Sequence, residues 1–155
     1  MTQQKLEQIF SLNNTIDTIK LHLHRGLPTS SSVKEILQFL NWHNTGAVMI
    51  QENSFLVGIF TERDLLAKIY GFNYEKQTDF LSHSITEYMT SHPTTLNLNN
   101  KIGQAFYIMY AKGIRHIPIL DEKGLPYALM SIRDITTNIF HYSKQELLDK
   151  FKVDF

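Results

Sequence analysis

The spacing of apolar residues predicts four elements in the first half of the chain. Apolar positions recur every three or four residues over 33–40, which predicts a helix with one buried face. A continuous apolar run over 47–50 predicts a buried strand, and residues 55–60 predict a second strand. A helix is then predicted to begin at Thr61 and to run to about residue 70.

The second half of the chain has the same order of apolar and polar positions. Residues 102–109 predict a helix, residues 117–120 a buried strand and residues 125–130 a further strand. A polar turn over 121–124 separates the two strands, and Ser131 is predicted to begin the last helix of this series. The chain therefore contains an internal repeat.

Equivalent positions of the two repeats are separated by a nearly constant number of residues, here called the repeat offset, which aligns Val33 with Ile102. The offset grows by one after the turn, where the second half has one extra residue, and it then aligns Thr61 with Ser131. Each unit is predicted to be strand, helix, strand, strand, helix, with opening strands near residues 19–23 and 94–96. A unit of this size has too small a core to be stable alone, so we expect the two to pack sheet to sheet in one α+β protein.

The repeats suggest a division of the chain at residues 75 and 76. Residues 1–75 are predicted to hold an N-terminal extension with a short helix over 3–10, followed by the first repeat. Residues 76–155 are predicted to hold the second repeat and a C-terminal helix. Three pairs have the spacing of a capping box at a helix start: Ser32 with Glu35, Ser84 with Glu87, and Ser143 with Glu146.

Composition excludes several classes of protein. The 155 residues are 43% hydrophobic and 19% charged, which is ordinary for a globular protein in water. Fifteen Lys and Arg balance fifteen Asp and Glu, which argues against non-specific binding to nucleic acid. There is no cysteine, and neither a signal peptide nor an apolar run of membrane-spanning length is evident. These features predict a cytoplasmic protein without a membrane anchor.

The candidate chemistry lies where the last strand of each repeat meets a helix. Thr61 and Asp64 form a hydroxyl-x-x-carboxylate motif at one junction, and Ser131 and Asp134 form the same motif at the equivalent junction of the second repeat. Taken alone, each pair is explained first by helix capping, and its recurrence at two helix starts, beside free backbone N–H groups, makes a ligand site the alternative. A pair of histidines, His22-x-His24, lacks an evident third ligand, so we predict no metal site.

Four stretches of the sequence together resemble a known family. They are residues 58–64 (GIFTERD), 85–90 (ITEYMT), 113–119 (GIRHIPI) and 130–134 (MSIRD). In their order and repetition they are similar to tandem cystathionine-β-synthase (CBS) domains, the arrangement called a Bateman module, over roughly residues 16–140. The resemblance implies two CBS-like repeats packed about a pseudo-twofold axis, with two clefts between them.

The resemblance also implies a function. CBS pairs commonly bind AMP, ADP, ATP or S-adenosylmethionine in such clefts and regulate other proteins. It therefore implies a non-enzymatic adenine-nucleotide sensor that needs no cofactor, pairs as a homodimer and acts on a separate effector. The dimer contacts are predicted at Ile69, Tyr70, Ile139 and Phe140. The alternative is a ligand-free scaffold for a partner protein or enzyme.

The family's ligand contacts can be carried over to matching positions. The carboxylate of the motif would accept from ribose hydroxyls, and neighbouring residues would contact phosphate or purine. The predicted ligand-binding residues are Thr61, Arg63, Asp64, Arg115, His116, Ile117, Pro118, Ser131, Arg133 and Asp134. The pair Arg115-His116 favours the Asp134 cleft, whereas Gly58, which is Ala128 in the second repeat, favours the Asp64 cleft by allowing close backbone approach.

Overall fold

The computed structural model describes residues 12–21, 23, 26–70 and 80–137. The helix predicted over 3–10, the capping box at residues 143 and 146 and the repeat boundary at residues 75 and 76 lie outside these residues. The elements of the first repeat are β1 (Leu27–Pro28), α1 (Val33–Trp42), β2 (Ala47–Glu52), β3 (Phe55–Thr61) and α2 (Glu62–Asp64), which continues as a π-helix over Leu65–Tyr70.

The second repeat has the same order of elements. They are β5 (Leu96–Asn97), α3 (Ile102–Lys112), β6 (His116–Leu120), β7 (Pro126–Ser131) and a helix, α4, described over residues 132–137. A short strand, β4 (Thr90–Ser91), and the 3₁₀ turns Ile16–Thr18, Phe80–Ser82 and Ile85–Glu87 precede or connect the repeats. The prediction of an α+β fold with two strand-helix-strand-strand-helix repeats is confirmed.

Each repeat contributes one small sheet. The first sheet has the strand order β1-β2-β3-β4, and the second has β5-β6-β7. The opening strand of each repeat is parallel to its neighbour, and the next pair is antiparallel. Ala47 pairs with Thr61 in the first sheet, and His116 pairs with Ser131 at the equivalent place in the second. The helix starts are therefore held beside the first residue of β2 and of β6.

The central strands are buried on both faces. Val48 and Ile50 of β2 pack beneath α1, whereas Ala47 and Met49 face the other sheet and contact Leu129 of β7. Successive residues of a strand point to opposite faces, which explains why the run of four apolar residues is fully buried. The predicted sheet-to-sheet packing is confirmed by this shared layer.

The segment that leads into each repeat docks on the other repeat. The amide of Ile16 donates to the carbonyl of Asn100 at 2.9 Å, and the amide of Ile85 donates to the carbonyl of Ser31 at 2.9 Å. Ile16 lies in the core of the second repeat, and Ile85 lies in the core of the first. The repeat offset aligns the two donors, Ile16 and Ile85, and it also aligns the two acceptors, Ser31 and Asn100. Each repeat therefore receives the same hydrogen bond from the other, which is the signature of a pseudo-twofold axis.

This exchange corrects the prediction of an opening strand near residues 19–23. The described residues 19–21 and 23 contain no strand, and Ile19 is buried against the second repeat. The alternation of apolar residues there reflects docking on the second repeat and not pairing in a sheet. The strand that opens the first repeat is β1, which the repeat offset aligns with β5.

Three further predictions have different outcomes. The capping box of Ser32 and Glu35 is confirmed, with the Ser32 amide 2.7 Å from Oε2 of Glu35. The box predicted for Ser84 and Glu87 is wrong, because the 3₁₀ turn directs Oγ of Ser84 to the amide of Thr86 at 3.3 Å. Among the described helices, none is both long enough and apolar enough for a membrane span.

Candidate functional site

The two hydroxyl-x-x-carboxylate motifs have the same local geometry. Oδ2 of Asp64 accepts from the amide and the hydroxyl of Thr61 at 2.9 and 2.7 Å. Oδ2 of Asp134 accepts from the amide and the hydroxyl of Ser131 at 2.6 and 2.7 Å. Each hydroxyl oxygen accepts in return from the carboxylate residue's amide, at 3.3 and 3.2 Å. Both pairs therefore cap their helices reciprocally, and this contact fixes the rotamer of each carboxylate.

The first cleft lies beside Thr61 and Asp64 and is small. Its volume is about 260 Å³, which is below the usual range of about 300–1,000 Å³ for small-molecule sites. Five of the residues predicted to bind ligand line it: Thr61, Arg63, Asp64, Arg115 and His116. Its wall also includes Thr90, His92, Pro93, Thr94 and Lys112.

Two basic side chains of the first cleft donate hydrogen bonds to protein atoms. Nη1 of Arg63 donates to the carbonyl of Gly113 at 2.6 Å, which satisfies the end of α3. Nζ of Lys112 donates to Oγ1 of Thr94 at 2.7 Å. Arg63 was predicted to bind ligand, and its described partner is a backbone carbonyl.

The second cleft lies beside Ser131 and Asp134 and is larger. Its volume is about 1,080 Å³, just above the range of about 300–1,000 Å³ for small-molecule sites. Arg115, His116, Ser131, Arg133 and Asp134, all predicted to bind ligand, line it. Lys20, Glu62, Asn44, Thr45 and Leu40 come from the first half of the chain and form other parts of its wall.

Charge in the second cleft is predominantly positive. Lys20, Arg115 and Arg133 bring three basic side chains, against the carboxylates of Glu62 and Asp134. Such a wall can hold an anionic group near a carboxylate that accepts hydrogen bonds, and this combination suits a phosphorylated molecule that also carries hydroxyls.

Arg115 and His116 line both clefts. The carbonyl of Arg115 accepts from the amide of Ile132 at 2.9 Å, so its backbone is fixed to the start of α4. Burial lowers the pKa of His116, and the charge of Arg115 lowers it further, while Asp134 and Glu62 act in the opposite direction. The imidazole is therefore held toward its neutral form at the junction of the clefts.

Ile117 and Pro118, also predicted to bind ligand, are placed differently. Ile117 is fully buried in the core of the second repeat. Pro118 is buried and pairs with Leu129, which faces the first sheet. Neither is among the described residues that line the two clefts. The geometry therefore gives no support to the ligand contacts predicted for them.

Gly58 also has a different role from the one predicted. A Cβ atom at Gly58 would overlap Sδ of Met89, which belongs to the leading segment of the second repeat. The missing side chain therefore admits Met89 and not a ligand. The corresponding strand residue Ala128 is buried in the core of the second repeat.

Sequence reasoning missed several residues of the cleft walls. Lys20 and Thr90 lie on the exchanged leading segments, which were not recognised as walls of a cleft. The repeat offset was a usable signal, because it aligns Ile16 with Ile85 and Lys20 with Met89.

No group of three or more His, Cys, Asp or Glu suited to a metal ion occurs in the part of the chain that the structure describes; His22 and His24 lie outside it.

Known proteins match this chain in sequence. A CBS-domain family model matches residues 85–141. The CBS domain-containing protein CBSX3, mitochondrial, from Arabidopsis thaliana is 30% identical over 122 residues, which are 77% of this chain and 58% of that protein. The chain spans 54% to 60% of the length of the first three curated relatives it matches.

Solved structures match it in fold. The CBS-domain containing protein ATU1752 from Agrobacterium tumefaciens superposes with a TM-score of 0.70 at 25% identity, covering 80% of this chain and 98% of that one. The CBS domain protein PAE2072 from Pyrobaculum aerophilum, complexed with AMP, superposes with a TM-score of 0.67 at 20% identity, covering 78% and 89%. Together with the two equivalent repeats, these matches identify the chain as a tandem pair of CBS domains, a Bateman module.

Proposed function

We propose that this CBS pair is a regulatory module that binds an adenosine-containing ligand in the second cleft. The observation that carries the proposal is the position of Asp134 in a cleft that also holds Lys20, Arg115 and Arg133. The similar fold of the Pyrobaculum protein complexed with AMP supports the choice of ligand class. AMP, ADP, ATP and S-adenosylmethionine are the candidates, and no cofactor is required.

The residues of the second cleft divide into three chemical roles. Asp134, oriented by Ser131, accepts hydrogen bonds from the ribose hydroxyls. Arg115 and Arg133 neutralise phosphate oxygens, and Arg is well suited to this because its guanidinium donates two parallel hydrogen bonds. The apolar wall that includes Leu40 and Leu129 contacts the purine.

Binding regulates by stabilising one arrangement of the molecule over another. The second cleft contains residues from both repeats, so a bound ligand contacts both at once. Only a ligand whose affinity differs between two arrangements can shift their equilibrium. Action on a separate effector, a cytoplasmic location and a homodimer are parts of this proposal. The side chains of Ile69 and Tyr70, and residues 139 and 140, where dimer contacts are predicted, lie outside the described part.

A ligand panel tests the proposal. AMP, ADP, ATP, S-adenosylmethionine and, as controls, CMP and inorganic phosphate are added in a thermal-shift experiment, followed by calorimetry. A ligand that binds only the folded state raises the melting midpoint by an amount that grows with its concentration. We expect a shift with at least one adenosine compound and none with CMP. Equal shifts with CMP, or no shift with any adenosine compound, contradict the proposal.

The second candidate is a ligand-free scaffold, and the surface of α3 favours it. Tyr107 and Tyr110 are 68% and 82% exposed, and the neighbouring Phe106 is 44% exposed. Aromatic residues that cluster on a surface commonly mark an interaction site. Light scattering of the parent and of Tyr110→Asp distinguishes this function, because a scaffold that assembles through α3 loses mass on this substitution whether or not nucleotide is present.

A further inference from the structure

The carboxylate of Asp64 has all of its acceptor positions filled by protein donors. Oδ2 accepts from the amide and hydroxyl of Thr61. Oδ1 lies 2.8 Å from Nζ of Lys68 and accepts from Oγ1 of Thr90 at 3.2 Å. An ionised carboxylate offers about four lone-pair positions, and four donors are present. The side chain is also only 12% exposed.

Lys68 is equally committed. Besides its ion pair with Asp64, its ammonium donates to the carbonyl of Tyr88 at 2.9 Å and to Oγ1 of Thr90 at 3.3 Å. An ammonium has three donor positions, so these contacts use all of them. Tyr88 and Thr90 lie on the leading segment of the second repeat, whereas Lys68 lies on the π-helix that follows Asp64. The cluster of Asp64, Lys68, Tyr88 and Thr90, here called the clasp, therefore joins the repeats.

The second repeat has asparagine at the position equivalent to Lys68. The offset that aligns Asp64 with Asp134 aligns Lys68 with Asn138. An amide side chain carries no charge and cannot form an ion pair with a carboxylate. The two motifs share a hydroxyl, an arginine and a carboxylate, and they differ in the residue four positions after the carboxylate.

We infer that Lys68 fills the ribose position of Asp64 and makes it a structural residue, so that the first cleft binds no adenosine-containing ligand. This inference rests on the proposed function for the choice of ligand, and on the clasp for the number of sites. A ribose that entered the first cleft would have to displace an ammonium from a poorly exposed carboxylate and leave charges unpaired.

Replacing Lys68 by asparagine, the residue at the aligned position of the second repeat, tests the inference. The parent, Lys68→Asn and the charge control Lys34→Asn are titrated calorimetrically with AMP and with ATP. We expect one ligand per chain for the parent and for Lys34→Asn, and two per chain for Lys68→Asn.

Two results overturn the inference. One is a parent that binds two ligands per chain and loses one of them in Asp64→Ala. The other is a folded Lys68→Asn variant that still binds one. Adding Asp64→Ala to Lys68→Asn should return the stoichiometry to one, which identifies the new site.

A measurement without ligand separates this inference from the proposed function. Asp64→Asn, Lys68→Met and the double variant form a thermodynamic cycle in melting midpoint. If the clasp exists, the melting midpoint of the double variant should be at least about 2 °C higher than the value expected from adding the two single shifts. Additive effects contradict the clasp even if nucleotide binds. A parent that binds no nucleotide contradicts the proposed function, while the cycle still decides whether the clasp exists.

Discussion

Ile16 and Ile85 occupy equivalent positions in the two repeats, and each is fully buried in the core of the opposite repeat. The chain thus exchanges two short segments between its halves. Because each core is completed by a residue from the other half, the two repeats are expected to unfold together in one cooperative transition.

Ile16→Ala and Ile85→Ala should each lower the free energy of unfolding by about 2–5 kcal/mol, the range for removing a large aliphatic side chain from a core. Urea unfolding followed by circular dichroism and by Trp42 fluorescence measures both the loss and the number of transitions. Leu66→Ala, at a position 65% exposed, is the matched control and should change stability by less than about 0.5 kcal/mol. Two separate transitions in the parent would argue against mutual completion of the cores.

Gly58→Ala should destabilise the protein by about 1–3 kcal/mol, because the added methyl group overlaps the side chain of Met89. Met89→Ala in the same chain removes the overlap, so the double variant should be more stable than the two single losses predict. Chemical unfolding of the three variants measures this coupling. Strictly additive losses would mean that Met89 is not what requires glycine at this position.

His116 should make stability depend on pH. Its folded pKa is lowered by burial and by Arg115, so below its ordinary value of about 6.5 the unfolded chain binds a proton more readily than the folded one. The contribution of His116 is therefore fully present above pH 6.5 and is lost as the pH falls from there toward the folded pKa. Arg133, Asp134 and Glu62 are the other charged groups that act on it.

Comparison with His116→Gln isolates this contribution. The free energy of unfolding is measured from about pH 7.5 down to about pH 5 for both proteins, so that the titration of all other groups is common to them. The parent should lose more stability than the variant over this interval. Parallel profiles would show that His116 has the same pKa in the folded and unfolded states.

Local patterns predicted most of the fold. The helix α1 has periodic apolar residues and the strand β2 has a continuous apolar run, and both form where these patterns predicted them. The strand β1 was missed because two residues are too few for a period to be recognised. Apolar and polar residues alternate over 15–21 because the apolar ones contact the second repeat. A local pattern cannot distinguish such contact from pairing in a sheet.

The candidate site was predicted in outline. The repeated motif identified Asp64 and Asp134, and both line clefts. The motif alone could not show that the two carboxylates have different surroundings. Lys68 contacts Tyr88 and Thr90, which are distant from it in the sequence and lie on the exchanged segment. The spacing of Asp64 and Lys68, four positions apart, was visible as an ion-pair pattern, but its consequence for ligand binding required the structure.

The most direct test of the account is calorimetry of Asp134→Ala and Asp64→Ala with AMP and ATP, beside their melting midpoints. Both substitutions remove the same reciprocal cap, so both should melt earlier than the parent. Only Asp134→Ala should lose affinity, by about ten- to a hundredfold, the equivalent of about 1.5–3 kcal/mol for hydrogen bonds to a charged group. If Asp134→Ala binds nucleotide as tightly as the parent and merely melts earlier, then Asp134 is only a helix-capping residue and the proposed site is wrong.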